Sequence, residues 1–241
     1  PYDFGYYQTL DALRALQYVY KKLGKKIDAR RVYCAGGSGG GNVSQMANKF
    51  APRTFACVVD LSGMASLTDD IAYNEAGGSS LNARYSRDEK SRDYLAPGQQ
   101  EIRDLGNKKH LKTMKKLKNA AKIVVIHGAT DTACPTADKE RVVKAMKRAG
   151  LDVDAHIISR KDVDGVVVKN TGHSIGDRTK LLMKYAGKYL SPTKRKMRKL
   201  SGKNDFELKK DVTYETSDGC FVISYKKGYP VGTFIPKKAK R

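Results

Sequence analysis

RVYCAGGSGGGN, residues 31–42, runs a short apolar segment straight into a glycine-rich turn. Residues 31–35 read as a buried strand and residues from about 42 to 50 as the helix that follows. Between them Gly36-Gly37-Ser38-Gly39-Gly40 satisfies G-x-S-x-G, in the strand–turn–helix setting that gives this motif its meaning. A turn this sharp holds the serine in a strained backbone conformation. Small neighbours on either side let strand and helix approach closely. The Ser38 hydroxyl should then project above the C-terminal edge of a sheet, with the positive end of a helix beneath it. The N–H of Gly39, the residue after the nucleophile, is the expected oxyanion-hole donor.

A glycine-rich turn can also cradle a phosphate or be a tight connection. A dinucleotide fingerprint needs G-x-G-x-x-G with an acidic residue about 20 residues further on. Gly36, Gly39 and Gly41 do not have that spacing, although Gly37, Gly39 and Asn42 come close and Asp60 sits near the required distance. The serine reading is the stronger.

Outward from the turn, strand and helix patterns alternate. Residues 6–23 carry Leu10, Leu13 and Leu16 at helical spacing, and Gly24 stops the helix. Strands are expected at 55–61, 123–127 and 153–158, and helices at about 137–149 and 176–189. This alternation implies an α/β protein with a doubly wound, mostly parallel sheet. Residues 63–121 hold no strong strand signal. Residues 212–216 and 220–225 alternate around Ser217-Asp218-Gly219, a hairpin signal.

Two further stretches supply partners for Ser38. IVVIHGATDTACP, residues 123–135, places Asp131 on the loop at the end of a strand. His173 lies in Asn170-Thr171-Gly172-His173-Ser174, before the last helix, with Gly172 and Gly176 freeing its loop. In the expected roles Ser38 attacks an acyl carbon, His173 takes and returns its proton, and Asp131 fixes the imidazole tautomer. The chain order Ser38, Asp131, His173 is the order of α/β-hydrolases. Asp60, after the second strand, is the rival acid, and Asp131 could be a turn residue. His127 and His156 fall within strands and read as structural. His110, on a lysine-rich helix near 108–118, reads as solvated.

These stretches resemble the catalytic domains of prolyl-oligopeptidase-like and dienelactone-hydrolase-like α/β-hydrolases. DFGYYQTLDALRAL (3–16), KFAPRTFACVVDLSG (49–63) and HGATDTACP (127–135) are more similar to a bacterial α/β-hydrolase family of undefined substrate. The resemblance covers about residues 2–190. It implies a serine hydrolase acting on an ester or amide, esterase or peptidase. In that fold the nucleophile follows the fifth strand, whereas here one helix precedes the nucleophile strand. The first four strands, and the loop with the second oxyanion donor, are therefore expected to be missing. Residues 1–190 are read as the C-terminal part of a catalytic domain, with 63–121 as a cap-like insertion. Residues 191–241 are read as a basic tail with a small β-hairpin appendage.

The 63–121 segment contains SSLNARYSRD, residues 79–88. There Arg84, with Tyr85 beside it, is a candidate to hold a substrate carboxylate, or else a structural ion-pair partner. No metal or organic cofactor is called for: the four cysteines have no metal-ligand spacing and no disulfide framework. A reduced enzyme fits at least as well as a secreted one; the compartment stays open, with the cytoplasm favoured. No apolar run is long enough to span a membrane.

Lys plus Arg number 47 against 25 Asp plus Glu, a net charge of +22. Such a field attracts polyanions. The lysines are spread along the chain without interleaved aromatics, so a solvated surface is preferred and no specific nucleic-acid partner is expected. The expected partner is a small ester or peptide substrate, and the oligomeric state stays open. The rival functions are a non-catalytic binding protein on the same fold and a polyanion-binding protein.

Overall fold

The computed structural model describes residues 1–75 and 79–237. In chain order the elements are α1 (Tyr6–Leu23), β1 (Tyr33–Gly37), α2 (Gly39–Phe50), β2 (Cys57–Leu61), α3 (Asp69–Tyr73), α4 (Pro97–Arg103) and α5 (Lys108–Lys116). They continue with β3 (Lys122–Gly128), α6 (Thr136–Arg148), β4 (Asp152–Ile158), α7 (Arg178–Leu190), α8 (Asp205–Leu208), β5 (Val212–Glu215), β6 (Gly219–Ser224) and β7 (Val231–Pro236).

β1 to β4 form one parallel sheet in the order β1-β2-β3-β4. A parallel sheet buried on both faces needs near-continuous apolar strands, and β2 is buried at every position. Alternate side chains serve the two faces. Val58, Ile123 and Val125 join Leu10 and Leu13 of α1, Met46 and Phe50 of α2, and Val142 and Met146 of α6. Cys57, Val59, Val124 and Ile126 pack on Leu181, Ala186 and Tyr189 of α7. Helices on both faces around parallel strands make this a doubly wound α/β fold. Because the strands are in register, with Gly37 beside Leu61 and Leu61 beside Ile126, their C-terminal ends form one rim.

β5 and β6 are the expected hairpin, closed at Ser217-Asp218 by Thr216 N–H donating to the Gly219 carbonyl (2.8 Å). β7 pairs with β6 as a third antiparallel strand that the sequence reading did not include. Its alternation is weak, with Thr233 through Pro236 exposed. Val212, Tyr214, Phe221, Ile223 and Tyr225 face inward and share the core of α1 and α2. The Tyr214 and Tyr225 hydroxyls donate to the carbonyls of Lys49 and Phe50, the latter at 3.0 Å. They thereby satisfy acceptors that the C-terminus of α2 leaves open.

His110 is not solvated: it is 1% exposed, on the same buried face of α5 as Leu111 and Met114, where β5 packs against the helix. Its Nε2 donates to the Glu215 carbonyl (2.8 Å), and its ring meets Tyr214 edge-on. In sequence the flanking lysines hide that His110 belongs to the buried face, which the second sheet helps to cover.

Within residues 63–121, α3 and the loops around it build a third small core. Met64, Leu67, Ile71, Ala83 and Leu95 pack with Cys134, and Phe4 and Leu81 lie against them. This core sits over the rim beside Ser38.

Candidate active site

Ser38 occupies the turn between β1 and α2 with φ 54° and ψ −123°. Non-glycine residues rarely hold positive φ, and such strain persists only where surrounding structure enforces it. Here Ser38 N–H donates to the Leu61 carbonyl (2.8 Å), and the Ser38 carbonyl accepts from Gly41 (2.9 Å) and Asn42 (3.1 Å). Gly36 is required because a Cβ there would lie 2.2 Å from the Gly40 carbonyl oxygen. The Gly39 N–H opens α2 and has no acceptor among the described residues.

His173 bridges the other two residues. Its Nδ1 stands 2.9 Å from Asp131 Oδ2 and its Nε2 2.9 Å from Ser38 Oγ. An ionised carboxylate only accepts, so Nδ1 carries the proton and Nε2 is left to accept from the Ser38 hydroxyl. The His173 side chain is 27% exposed, whereas the Asp131 carboxylate is fully buried. The loop carrying His173 reaches this position over Gly128, where a Cβ would meet the Thr171 and Gly172 carbonyl oxygens at 2.2 and 2.3 Å. Thr130 N–H donates to the Thr171 carbonyl (2.9 Å), tying the two loops together.

Asp131 is held from its far side. Cys134 N–H donates to Oδ1 (2.9 Å), and His127 Nε2, which donates to the Cys134 carbonyl (2.8 Å), lies 3.4 Å from Oδ2. Burial, helped by the nearby Lys139 ammonium, lowers the pKa of His127, so it stays neutral beside Asp131.

Asp60, the rival acid, is turned elsewhere. It is fully buried, with Oδ2 2.6 Å from Lys139 Nζ and Oδ1 accepting from Gly63 N–H (2.8 Å). Lys139 is the residue the sequence reading missed here; His127 was read as structural, but its place behind Asp131 was not foreseen. Lys139 shares a helix face with Val142, Val143 and Met146, and a lysine at three- and four-residue spacing from an apolar stripe was the available signal. His127 precedes Asp131 by one helical-type interval, but strand placement hid their contact.

A cavity of about 300 Å3 opens beside Ser38 and Gly39. Asn82 lines it, but Arg84 and Tyr85 do not. Arg84 is exposed at φ 59°, its N–H bonded to Asn82 Oδ1 (2.8 Å). Tyr85 lines a separate cavity with Tyr6 and Arg103. Arg87 is exposed and paired with Asp69 and Glu75. His156 lies within β4, close to Asp154 (3.1 Å) and against the Tyr185 ring. All four cysteines are free thiols, and no group of His, Cys, Asp and Glu among the described residues is arranged to hold a metal. No helix among them is long and apolar enough to cross a membrane.

Among solved structures the chain is similar to the acylaminoacyl peptidase of Pyrococcus horikoshii, at 18% identity and a TM-score of 0.51 over 73% of this chain. An acylaminoacyl peptidase in complex with Z-Gly-Gly-Phe-chloromethyl ketone gives a TM-score of 0.52 at 18% identity, also over 73%. A puromycin-hydrolyzing peptidase of Mycobacterium tuberculosis gives 0.48 at 16%. The chain spans about a quarter of the length of each (25%, 25% and 24%). No curated protein matches. The α/β-hydrolase resemblance read from the motifs therefore holds at the level of fold. By its match over residues 2–228, the chain belongs to the family described as "Protein of unknown function (DUF2920)".

Proposed function

We propose that this chain carries the catalytic centre of a serine hydrolase that cleaves an ester or peptide bond. The observation that carries this reading is the unbroken hydrogen-bonded series Ser38–His173–Asp131, with 2.9 Å at each step. In the proposed reaction His173 Nε2 accepts the Ser38 proton as Oγ bonds to the acyl carbon. The carbonyl oxygen becomes an oxyanion facing the Gly39 N–H. His173 then gives its proton to the leaving alkoxide or amine as the old bond breaks, leaving an acyl-enzyme. Water, deprotonated by His173, attacks that ester and releases the acid and free Ser38. Buried Asp131 stabilises the imidazolium that forms in each half-reaction. In this reading the 63–121 segment acts as a cap over the rim.

The test is labelling of the purified full-length protein with a short-chain fluorophosphonate, followed by peptide mapping. Label on Ser38, lost in Ser38→Ala together with essentially all turnover, is the expected result. A folded protein that never labels would instead be a binding protein on this fold.

A further inference from the structure

The cavity beside Ser38 differs in character from the rest of the surface. In a chain with 30% charged residues and a net charge of +22, no Asp, Glu, Lys, Arg or His lines it among the described residues. It is lined by Tyr2, Phe4, Met64, Leu81 and Cys134. Three amides complete it, and each already holds at least one hydrogen bond. Asn42 Nδ2 donates to the Met64 carbonyl (3.1 Å). Gln8 accepts from Gly5 N–H (3.0 Å) and donates to the Tyr2 hydroxyl (3.0 Å). Asn82 Oδ1 accepts from Arg84 N–H (2.8 Å). An ionised group entering here would lose its hydration without meeting a counter-charge, a cost of several kcal/mol. An apolar group would gain from burial against the same walls.

Which half of a substrate enters follows from what borders the cavity. Ser38 and Gly39 line it, whereas His173 does not and instead borders a small void with Ile175 and Leu181. A leaving group must stay within reach of His173 Nε2 to receive its proton. The group that fills the cavity is therefore on the acyl side of the scissile bond. Its volume, about 300 Å3, is at the small end for ligand pockets. Phe4, in the wall, holds a positive φ of 44°, a conformation kept only where packing enforces it.

Resting on the serine-hydrolase reading, we propose that this cavity is the acyl pocket of the Ser38 reaction. It takes an uncharged, apolar acyl group of medium size, a medium-chain aliphatic or single-ring acyl group, and rejects acyl groups bearing a carboxylate.

The full-length protein is first titrated with a short-chain fluorophosphonate, which reads Ser38 reactivity independently of acyl preference. The labelled fraction then normalises kcat/KM for the p-nitrophenyl esters of acetate, octanoate and succinate. Octanoate should exceed acetate by at least about 10-fold, the scale on which apolar pockets discriminate, and the anionic succinate should fall below acetate. Leu81→Glu, which sets a carboxylate in the half-buried wall, should lower the octanoate-to-acetate ratio by about 10-fold or more. The parent ester series decides the matter if that variant does not fold. Absence of label in the parent sinks the serine-hydrolase reading. Label at Ser38 with no preference for octanoate, or with succinate equal to it, overturns the acyl-pocket proposal alone.

Discussion

The two ends of α2 both carry polar networks, yet they are built from different partners. At its N-terminus the contacts run side chain to side chain: Ser38 to His173, His173 to Asp131, and close by Asp60 to Lys139. At its C-terminus they run side chain to backbone. Lys49 Nζ donates to the Ile102 and Asp104 carbonyls (2.6 and 3.0 Å), where α4 ends, and the Tyr214 and Tyr225 hydroxyls donate to the last carbonyls of α2. A backbone carbonyl cannot take up a proton at accessible pH, so the second end only joins the two sheets. A network of imidazole, carboxylate and hydroxyl can pass a proton from one side chain to the next, and the first end offers such a network. The same difference separates Asp131 from Asp60: one faces an imidazole, the other an ammonium.

The largest expected effect tests that last distinction. Asp131→Asn removes the acceptor that sets the His173 tautomer, so kcat should fall by about 10⁴-fold while the urea midpoint changes little. Steady-state ester assays alongside urea unfolding check it; a mild kcat loss would move the acid's role elsewhere.

Next in size is Asp60→Asn, which leaves the Lys139 ammonium buried without its counter-charge. The expected cost is about 3–5 kcal/mol of stability, with turnover per folded molecule far less affected than in Asp131→Asn. Replacing both partners, Asp60→Leu with Lys139→Met, should recover most of that stability. If Asp60→Asn instead abolishes turnover in a folded protein, the two aspartates have been assigned the wrong way round.

The C-terminal end of α2 should set the acid limit of stability. Burial, then the charge of Lys49, pushes His110 from 6.5 down to about 3, opposed by its bond to the Glu215 carbonyl. Between those pH values the unfolded chain binds a proton that the folded one refuses. Stability therefore rises with pH across this window and is lost as pH falls from about 6.5 toward 3, by up to a few kcal/mol. Burial also pushes Lys49 from 10.5 down to about 7, which adds stability in the same sense between those values. Urea midpoints measured from pH 7 to about 4 should decline in the parent and decline less in His110→Phe. Equal slopes would remove His110 from the account.

The smallest effect concerns association. Among the described residues β1 pairs only with β2, and Ala35 within it is exposed. An apolar strand without a second ladder partner invites pairing with another chain. The chain should run larger than a monomer in size-exclusion chromatography, and Ala35→Lys should shift it toward monomer. A monodisperse parent at high concentration would show that this edge is covered another way.

Much of the candidate site was legible in the chain because local rules bear on it. The G-x-S-x-G turn constrains its own backbone, so Ser38 at positive φ between strand and helix follows from neighbours a few residues away. Asp131 and His173 were readable as strand-end loop residues, because parallel strands bring their C-terminal ends to one rim. Hydrophobic periodicity likewise marked α1, α6 and the four parallel strands within a few residues.

Contacts across long separations were decided only by the tertiary structure. That Asp60 meets Lys139, and that His127 stands behind Asp131, depends on how α6 and the β3 loop pack over the sheet. His110 is buried because β5, a hundred residues later, lies across it. The cavity at Ser38 takes walls from Tyr2, Met64, Leu81 and Cys134. Periodicity reports which face of an element is apolar; it does not report what will cover that face. Burial, pairing and cavity shape are properties of the packed whole, and they appear only when the segments meet.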